Sequence, residues 1–303
     1  MRLPSRMLLT AALVSIAGFL HAQAPPPAVS GKKTIVNQRP QAVNRAEETI
    51  VTENAPQPTG FESDLYCFGY LGALSESFPV QIKGAESTAE QTDFITDDLL
   101  YVNGGVDRGL KVGDQFWIVT PEREVFHPLT GRSMGRFYQY RGRASVHSVE
   151  GRAAIVRVTS SCTDIPMGSY LKPFEPVPIP LARKSPPAAA GDPPSGKPQG
   201  RIVFTRDGVV ALGSDNVVVV DIGAASGISA GDFVTIYRYA WGENFGVQPI
   251  GSYWVNVPPP PGVAIPRTYL GEAAILMVGD RWSIARLTDS FRLVQVGDEV
   301  ELK

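Results

Sequence analysis

Histidine and cysteine are nearly missing from this chain, three and two in 303 residues, and the shortage removes whole classes of chemistry. Beyond the first residues only His127 and His147 remain, in no H-x-x-x-H or C-x-x-C setting. A zinc centre would have to be assembled from distant positions, and neither a metal nor another cofactor is expected. Long apolar runs are lacking too. Residues 7–20 form the only candidate, and fourteen residues fall short of the roughly 20 that a bilayer core demands. Charge of either sign is not in excess, with 28 basic and 30 acidic residues, so the basic face that grips nucleic acid is not expected. Helical periodicity is the last absence: past residue 24 only residues 87–99 carry a weak three-and-four spacing.

The N-terminus has the layout of a signal peptide. Arg2 and Arg6 precede the apolar stretch, and Ala22-Gln23-Ala24 follows it, which predicts cleavage after Ala24 or nearby and a periplasmic or secreted protein. Removing residues 1–24 leaves 26 basic against 30 acidic residues, a net charge of −4. In an oxidising compartment Cys67 and Cys162 are expected to pair, and closing that separation of 95 stabilises by about 4 kcal/mol in the loop-entropy picture. Cys162 moved 129 positions along lands on Phe291, which predicts an inward-facing site for both.

That shift comes from an internal duplication. Gly105-Val106-Asp107-Arg108-Gly109-Leu110-Lys111-Val112-Gly113-Asp114 recurs 118 positions later as Gly223-Ala224-Ala225-Ser226-Gly227-Ile228-Ser229-Ala230-Gly231-Asp232. Further on, Gly142, Ala144, Ile155, Arg157 and Gly168 recur as Gly271, Ala273, Ile284, Arg286 and Gly297, displaced by 129. The difference of eleven falls before Gly271, where residues 257–266 hold four consecutive prolines without a counterpart in the first copy. Short β-branched runs of period two, such as Leu100-Tyr101-Val102, Phe116-Trp117-Ile118 and Val217 to Val220, alternate with glycine turns. The fold class is therefore all-β: two tandem small β-barrels or barrel-like modules joined by a proline-rich linker. The segments are residues 1–24 (signal peptide), 25–60 (disordered tether), 61–175 (first module), 176–200 (linker) and 201–303 (second module). Within the signature, Gly105, Gly109, Gly113, Gly223, Gly227 and Gly231 are read as turn glycines, and Asp114 and Asp232 as turn acids that accept backbone N–H groups.

The G-x-x-x-G-[LI]-x-x-G-D element, the alternating strand after it and the closing Gly168-Ser169 or Gly297-Asp298 resemble the small β-barrel domain at the C-terminus of flagellar assembly protein T. They are similar as well to modules of bacterial envelope proteins that accompany LysM domains. The resemblance covers about residues 98–171 and 201–303. It implies an accessory role in the periplasm or envelope and transfers no catalytic residue. The chain lacks a LysM segment of its own.

Residue chemistry narrows the remaining readings. Val220-Asp221-Ile222-Gly223-Ala224 lies one residue from the Asp-Thr/Ser-Gly-Ala of retroviral-type aspartic proteases, but the repeat register pairs Asp221 with Asn103, leaving one carboxylate where two must share a proton. A Walker-type frame at residues 191–197 ends in Pro198 instead of Ser or Thr. The richest surface chemistry is at residues 131–143, where Arg132, Arg136, Arg141 and Arg143 interleave with Phe137, Tyr138 and Tyr140 across an expected hairpin. Alternation predicts Arg136, Tyr138 and Tyr140 on one face and Phe137 and Arg141 on the other, a candidate partner- or ligand-binding face. The sequence thus predicts an exported, non-catalytic scaffold or adaptor of a bacterial envelope that binds an envelope protein or peptidoglycan. The alternatives are a carbohydrate-binding protein and, more distantly, an aspartic-protease-like hydrolase.

Overall fold

The computed structural model describes residues 56–86, 91–183, 192–209, 211–242, 244, 247–250 and 253–303. The expected signal peptide, the tether as far as residue 55 and linker residues 184–191 lie outside them. In chain order the first half contains helix α1 (Glu62–Tyr66) and strands β1 (Tyr70–Gly72), β2 (Val80–Ala85), β3 (Asp93–Phe94), β4 (Leu99–Val102), β5 (Gln115–Phe126), β6 (Ser133–Val149), β7 (Ala154–Ser161), β8 (Ile165–Pro166) and β9 (Tyr170–Pro173). The second half contains β10 (Gln199–Thr205), β11 (Val217–Val220), β12 (Phe233–Tyr239), β13 (Val247–Ile250), β14 (Tyr253–Asn256), β15 (Arg267–Val278), β16 (Ser283–Ser290) and β17 (Glu299–Leu302). The described part of the weak helical window at residues 87–99 is strand and turn, because Phe94 and Leu100 are drawn into a barrel core.

Two closed six-stranded antiparallel barrels result. The first runs β2-β4-β7-β6-β5-β9, with β1 added to β6 from outside; the second runs β10-β11-β16-β15-β12-β17. Position for position the strand order is the same, so the duplication copied a complete barrel. Each barrel encloses its own apolar filling: Ile82, Leu100, Ile118, Val146, Val156 and Leu171 in the first, Ile202, Val218, Ile236, Ile275, Ala285 and Val300 in the second. The period-two alternation of the strands places these side chains inside.

The repeated signature makes one turn twice. A single 3-10 turn, Val106–Arg108 or Ala224–Ser226, is closed by Gly109 (φ 75°) or Gly227 (φ 77°) in the left-handed region. Gly105 (φ −144°) and Gly223 (φ −150°) keep negative φ, and what they need is space. A Cβ on them would sit 2.1 Å from the Glu150 carbonyl oxygen and 2.5 Å from that of Gly279. Asp114 then accepts the Lys111 N–H (2.9 Å), and Asp232 the Ser229 N–H (2.8 Å). The same device recurs outside the signature. Asp98 and Asn216 accept the N–H of Ile95 (2.9 Å) and Gly213 (2.8 Å), each preceded by a left-handed aspartate, Asp97 (φ 78°) or Asp215 (φ 73°).

Candidate functional site

Barrel one departs from barrel two in the length of one hairpin. β5 and β6 continue past the ring as a two-stranded arm that turns at residues 127–132. Residues 133–149 form a single strand, so the expected hairpin over residues 131–143 is realised as β6 returning along β5. The arm crosses to the second barrel. There Phe137 and Val125 join Phe68 and Leu71 on one side and Val203, Phe204, Val219 and Ile284 on the other in one apolar cluster, with Phe137 and Phe204 ring centroids 4.6 Å apart.

This crossing explains where the interleaved arginines and aromatics lie. Alternation holds along β6, but both faces are covered: Phe137 (1 % exposed) meets barrel two, while Tyr138 (1 %) and Tyr140 (9 %) enter an aromatic cluster with Tyr70 and Trp117. Trp117 and Tyr140 stack at 4.3 Å. Burial first, and the nearby Glu76 and Glu175 charges after it, push the Tyr140 hydroxyl far above its ordinary value, so it stays protonated. Arg141 bonds Glu122 (2.7 Å), Thr120 (3.2 Å) and Thr163 (3.3 Å). Arg143 bonds Ser160 (3.1 Å) and lies between the Tyr66 and Phe174 rings. Arg136 donates to the carbonyls of Leu74 (3.0 Å) and Glu122 (3.2 Å), and Arg132 is exposed at the tip. Five of the six candidates are thus used inside the molecule.

Cys67 and Cys162 form the expected disulfide, Cα atoms 5.4 Å apart. Phe291, the position Cys162 maps onto, does not face inward: its side chain is 67 % exposed just past β16, with its ring 5.4 Å from that of Tyr269.

Where the arm tip meets barrel two, a cleft of about 880 Å³ opens. Leu129 and Thr130 form one wall, Pro193 and Pro194 of the linker another, and Pro258, Pro259 and Pro266 of the inserted loop a third, over a floor that includes Tyr237 and Tyr239. His127 stands at its edge. Its Nδ1 accepts the N–H groups of Leu129 and Thr130, both at 3.2 Å, which leaves Nε2 to donate to Asp221 at 2.9 Å. Both ring nitrogens are committed, so the imidazole has no lone pair left to take a proton from a nucleophile.

Asp221 carries an inherited task beside this one. Its Oδ1 accepts the Arg201 N–H while its own N–H reaches the Arg201 carbonyl (3.1 Å). Asn103 does the same in barrel one, accepting the Gln81 N–H (2.7 Å) and donating to the Gln81 carbonyl (3.1 Å). An amide suffices for the shared bond. The carboxylate of Asp221 adds a second acceptor, and His127 takes it.

The remaining charges of the cleft pair among themselves. Arg201 holds the carbonyls of Asn256 (2.8 Å) and Gly297 (2.7 Å) and bridges to Glu299. Burial raises the Glu299 carboxyl above its ordinary value although Arg201 pulls it down. Arg267 bridges to Glu301, lies 4.5 Å from the Tyr237 ring centroid, and grips the carbonyls of Asp192 (2.7 Å) and Pro193 (2.9 Å). None of this was legible beforehand, because the partners come from segments far apart in the chain. Among the described residues no group of three or more His, Cys, Asp or Glu is placed to hold a metal ion, and no helix is long and apolar enough to cross a membrane. No protein-family model matches this chain, and no curated protein shows significant similarity to it.

Proposed function

We propose that this chain is an exported, non-catalytic scaffold of a bacterial cell envelope that holds a protein partner in the cleft between its two barrels. The observation that carries the reading is the state of the cleft's chemistry. His127, Asp221, Arg201, Glu299 and Arg267 of the cleft are all consumed in structural pairing, while apolar and aromatic faces are left to solvent, which suits recognition more than bond making. Export rests on the signal-peptide layout at residues 1–24, and the envelope setting on the resemblance to the flagellar assembly protein T barrel. In vivo crosslinking of the tagged protein, followed by identification of the adduct, should return one defined envelope protein, and Tyr239→Ala should deplete it. Co-sedimentation with purified sacculi without any protein adduct would replace this reading with peptidoglycan binding.

A further inference from the structure

Two of the three walls of the cleft are poor in donors. Five prolines line it, Pro193 and Pro194 on the linker side and Pro258, Pro259 and Pro266 on the loop side, and none has an N–H to offer. Arg201, Arg267, Asp221 and Glu299 are occupied with one another and with backbone groups. What remains on the floor is the Tyr237–Tyr239 pair, set edge to face with centroids 5.8 Å apart. The Tyr237 hydroxyl is committed to Glu299. That of Tyr239 has no hydrogen-bond partner among the described residues, and burial holds it in the protonated, donating form. A saccharide brings a hydroxyl on nearly every carbon, each needing a polar partner, and proline rings supply none. A charged ligand would meet no uncompensated counter-charge.

The cleft also displays how it treats an occupant. One proline-bearing stretch of the protein without regular secondary structure, residues 192–194, already lines its side, and recognition there goes through the backbone. The Arg267 fork takes two consecutive carbonyls while its guanidinium lies over the Tyr237 ring. Glu301 continues the grip by accepting the Ser195 N–H (2.8 Å) and hydroxyl (3.1 Å). The open space is lined both by this segment and by the loop carrying Pro258, Pro259 and Pro266.

Resting on the adaptor reading above, we propose that the cleft binds an extended, proline-containing peptide segment of the partner protein, laid beside residues 192–194. Its proline rings lie against the flat faces of Tyr239 and the wall prolines, and a carbonyl accepts the Tyr239 hydroxyl. Proline suits the site twice: the segment is extended before it binds, so little chain entropy is lost, and its carbonyls are acceptors without a neighbouring N–H to desolvate.

The test titrates the mature protein into a fluorescein-labelled peptide of repeated Ala-Pro-Pro triplets and into a glycine-serine peptide of equal length, read by anisotropy. Saturable binding of the first alone is expected, with Tyr239→Ala weakening it at least about tenfold, as truncation of a central aromatic does. Tyr239→Phe, which keeps the ring and the fold, should weaken it to a lesser degree. Equal binding of both peptides, affinity untouched in both Tyr239 variants, or saturation by soluble muropeptides instead would overturn the proposal. The two readings fail separately. Loss of the crosslinked partner in Tyr239→Ala, with no peptide binding by the parent protein, removes this inference and keeps the adaptor. Peptide binding that Tyr239→Ala abolishes, with partner crosslinking unchanged, removes the cleft as the place where the partner is held and keeps the peptide site.

Discussion

Gly109 and Gly105, four residues apart in one turn, are needed for different reasons, and substitution separates them. Nothing lies within 4 Å of a Cβ built on Gly109 or Gly227, so alanine there meets only the left-handed backbone and should cost about 1 kcal/mol. Asparagine, which tolerates that region, should recover most of it. Gly105→Ala and Gly223→Ala place a methyl inside a carbonyl contact and should cost more, with no recovery by asparagine. Urea midpoints of the eight variants check this, and equal losses at all positions would contradict it. The acids of β17 separate in a similar way. Burial alone would raise Glu301, but hydrogen bonds from Gln199, Arg267 and the Ser195 N–H bring its carboxyl below the ordinary value. Its folded value lies below its unfolded one, so its contribution is present above the unfolded value and is lost as pH falls through the folded one. Glu299 is raised by burial, so its contribution has the opposite sign, full at low pH and lost as pH rises through its folded value. Carboxyl-carbon NMR across an acid titration should show Glu299 protonating before Glu301 as pH falls, and the reverse order would refute the assignment.

A strap of residues 57–72 ties the arm and both barrels together at the level of elements. α1 and β1 are joined to barrel one by the Cys67–Cys162 disulfide and by β1 pairing with β6, Tyr70 opposite Tyr138. They reach barrel two through Arg206, which donates to the Cys67 carbonyl (2.7 Å), and through Arg286, 3.2 Å from Asp64. Pro58 bridges Leu181 in turn, so the strap runs beside the linker that leaves barrel one. Replacing both cysteines by alanine should therefore cost about 4 kcal/mol from the released loop and should also loosen the barrel contact. Thermal melting with hydrogen exchange at Phe204 amides reads both, and loss of stability with unchanged exchange at the contact would show that the strap serves barrel one alone. The barrels, the glycine turns and the disulfide partners were legible in the sequence, because each depends on local pattern or on cysteine count. The arm was not. Phe137, Tyr138, Gln139 and Tyr140 are buried in succession, which alternation along one strand cannot announce, since the second cover comes from the strap and from barrel two. Arg141 accordingly changes meaning: with three side-chain partners, Arg141→Ala is expected to destabilise the fold instead of acting as a silent surface change.

Taken whole, residues 56–303 behave as one body with two fillings and a shared seam. The seam is apolar at its centre, where Phe137 meets Phe204, and polar at its margins, where His127 meets Asp221 and Arg123 lies 4.9 Å from the Phe204 ring while bonding the Thr205 carbonyl (3.2 Å). Each barrel nevertheless closes its own hydrogen-bonded ring around its own core, so neither depends on the seam for its interior. That separation predicts how the molecule fails. The parent chain should unfold in one calorimetric transition, because losing either barrel exposes the partner's half of the seam to water. Phe204→Asp removes the ring that Phe137 packs on and sets a short polar side chain among Phe68, Leu71, Val125 and Phe137, with Arg123 on one side only, at a cost in lost apolar burial and desolvation. Undocking relieves that cost without opening either ring. The variant should therefore show two transitions, one per barrel, together with loss of the cleft, which needs Leu129 and Thr130 from the arm and Tyr237 and Tyr239 from barrel two. His127→Ala, a marginal contact, should lower the single transition slightly and leave it single. Phe204→Asp melting in one transition at the parent temperature would mean that the seam contributes little and that the barrels hold their arrangement by other means.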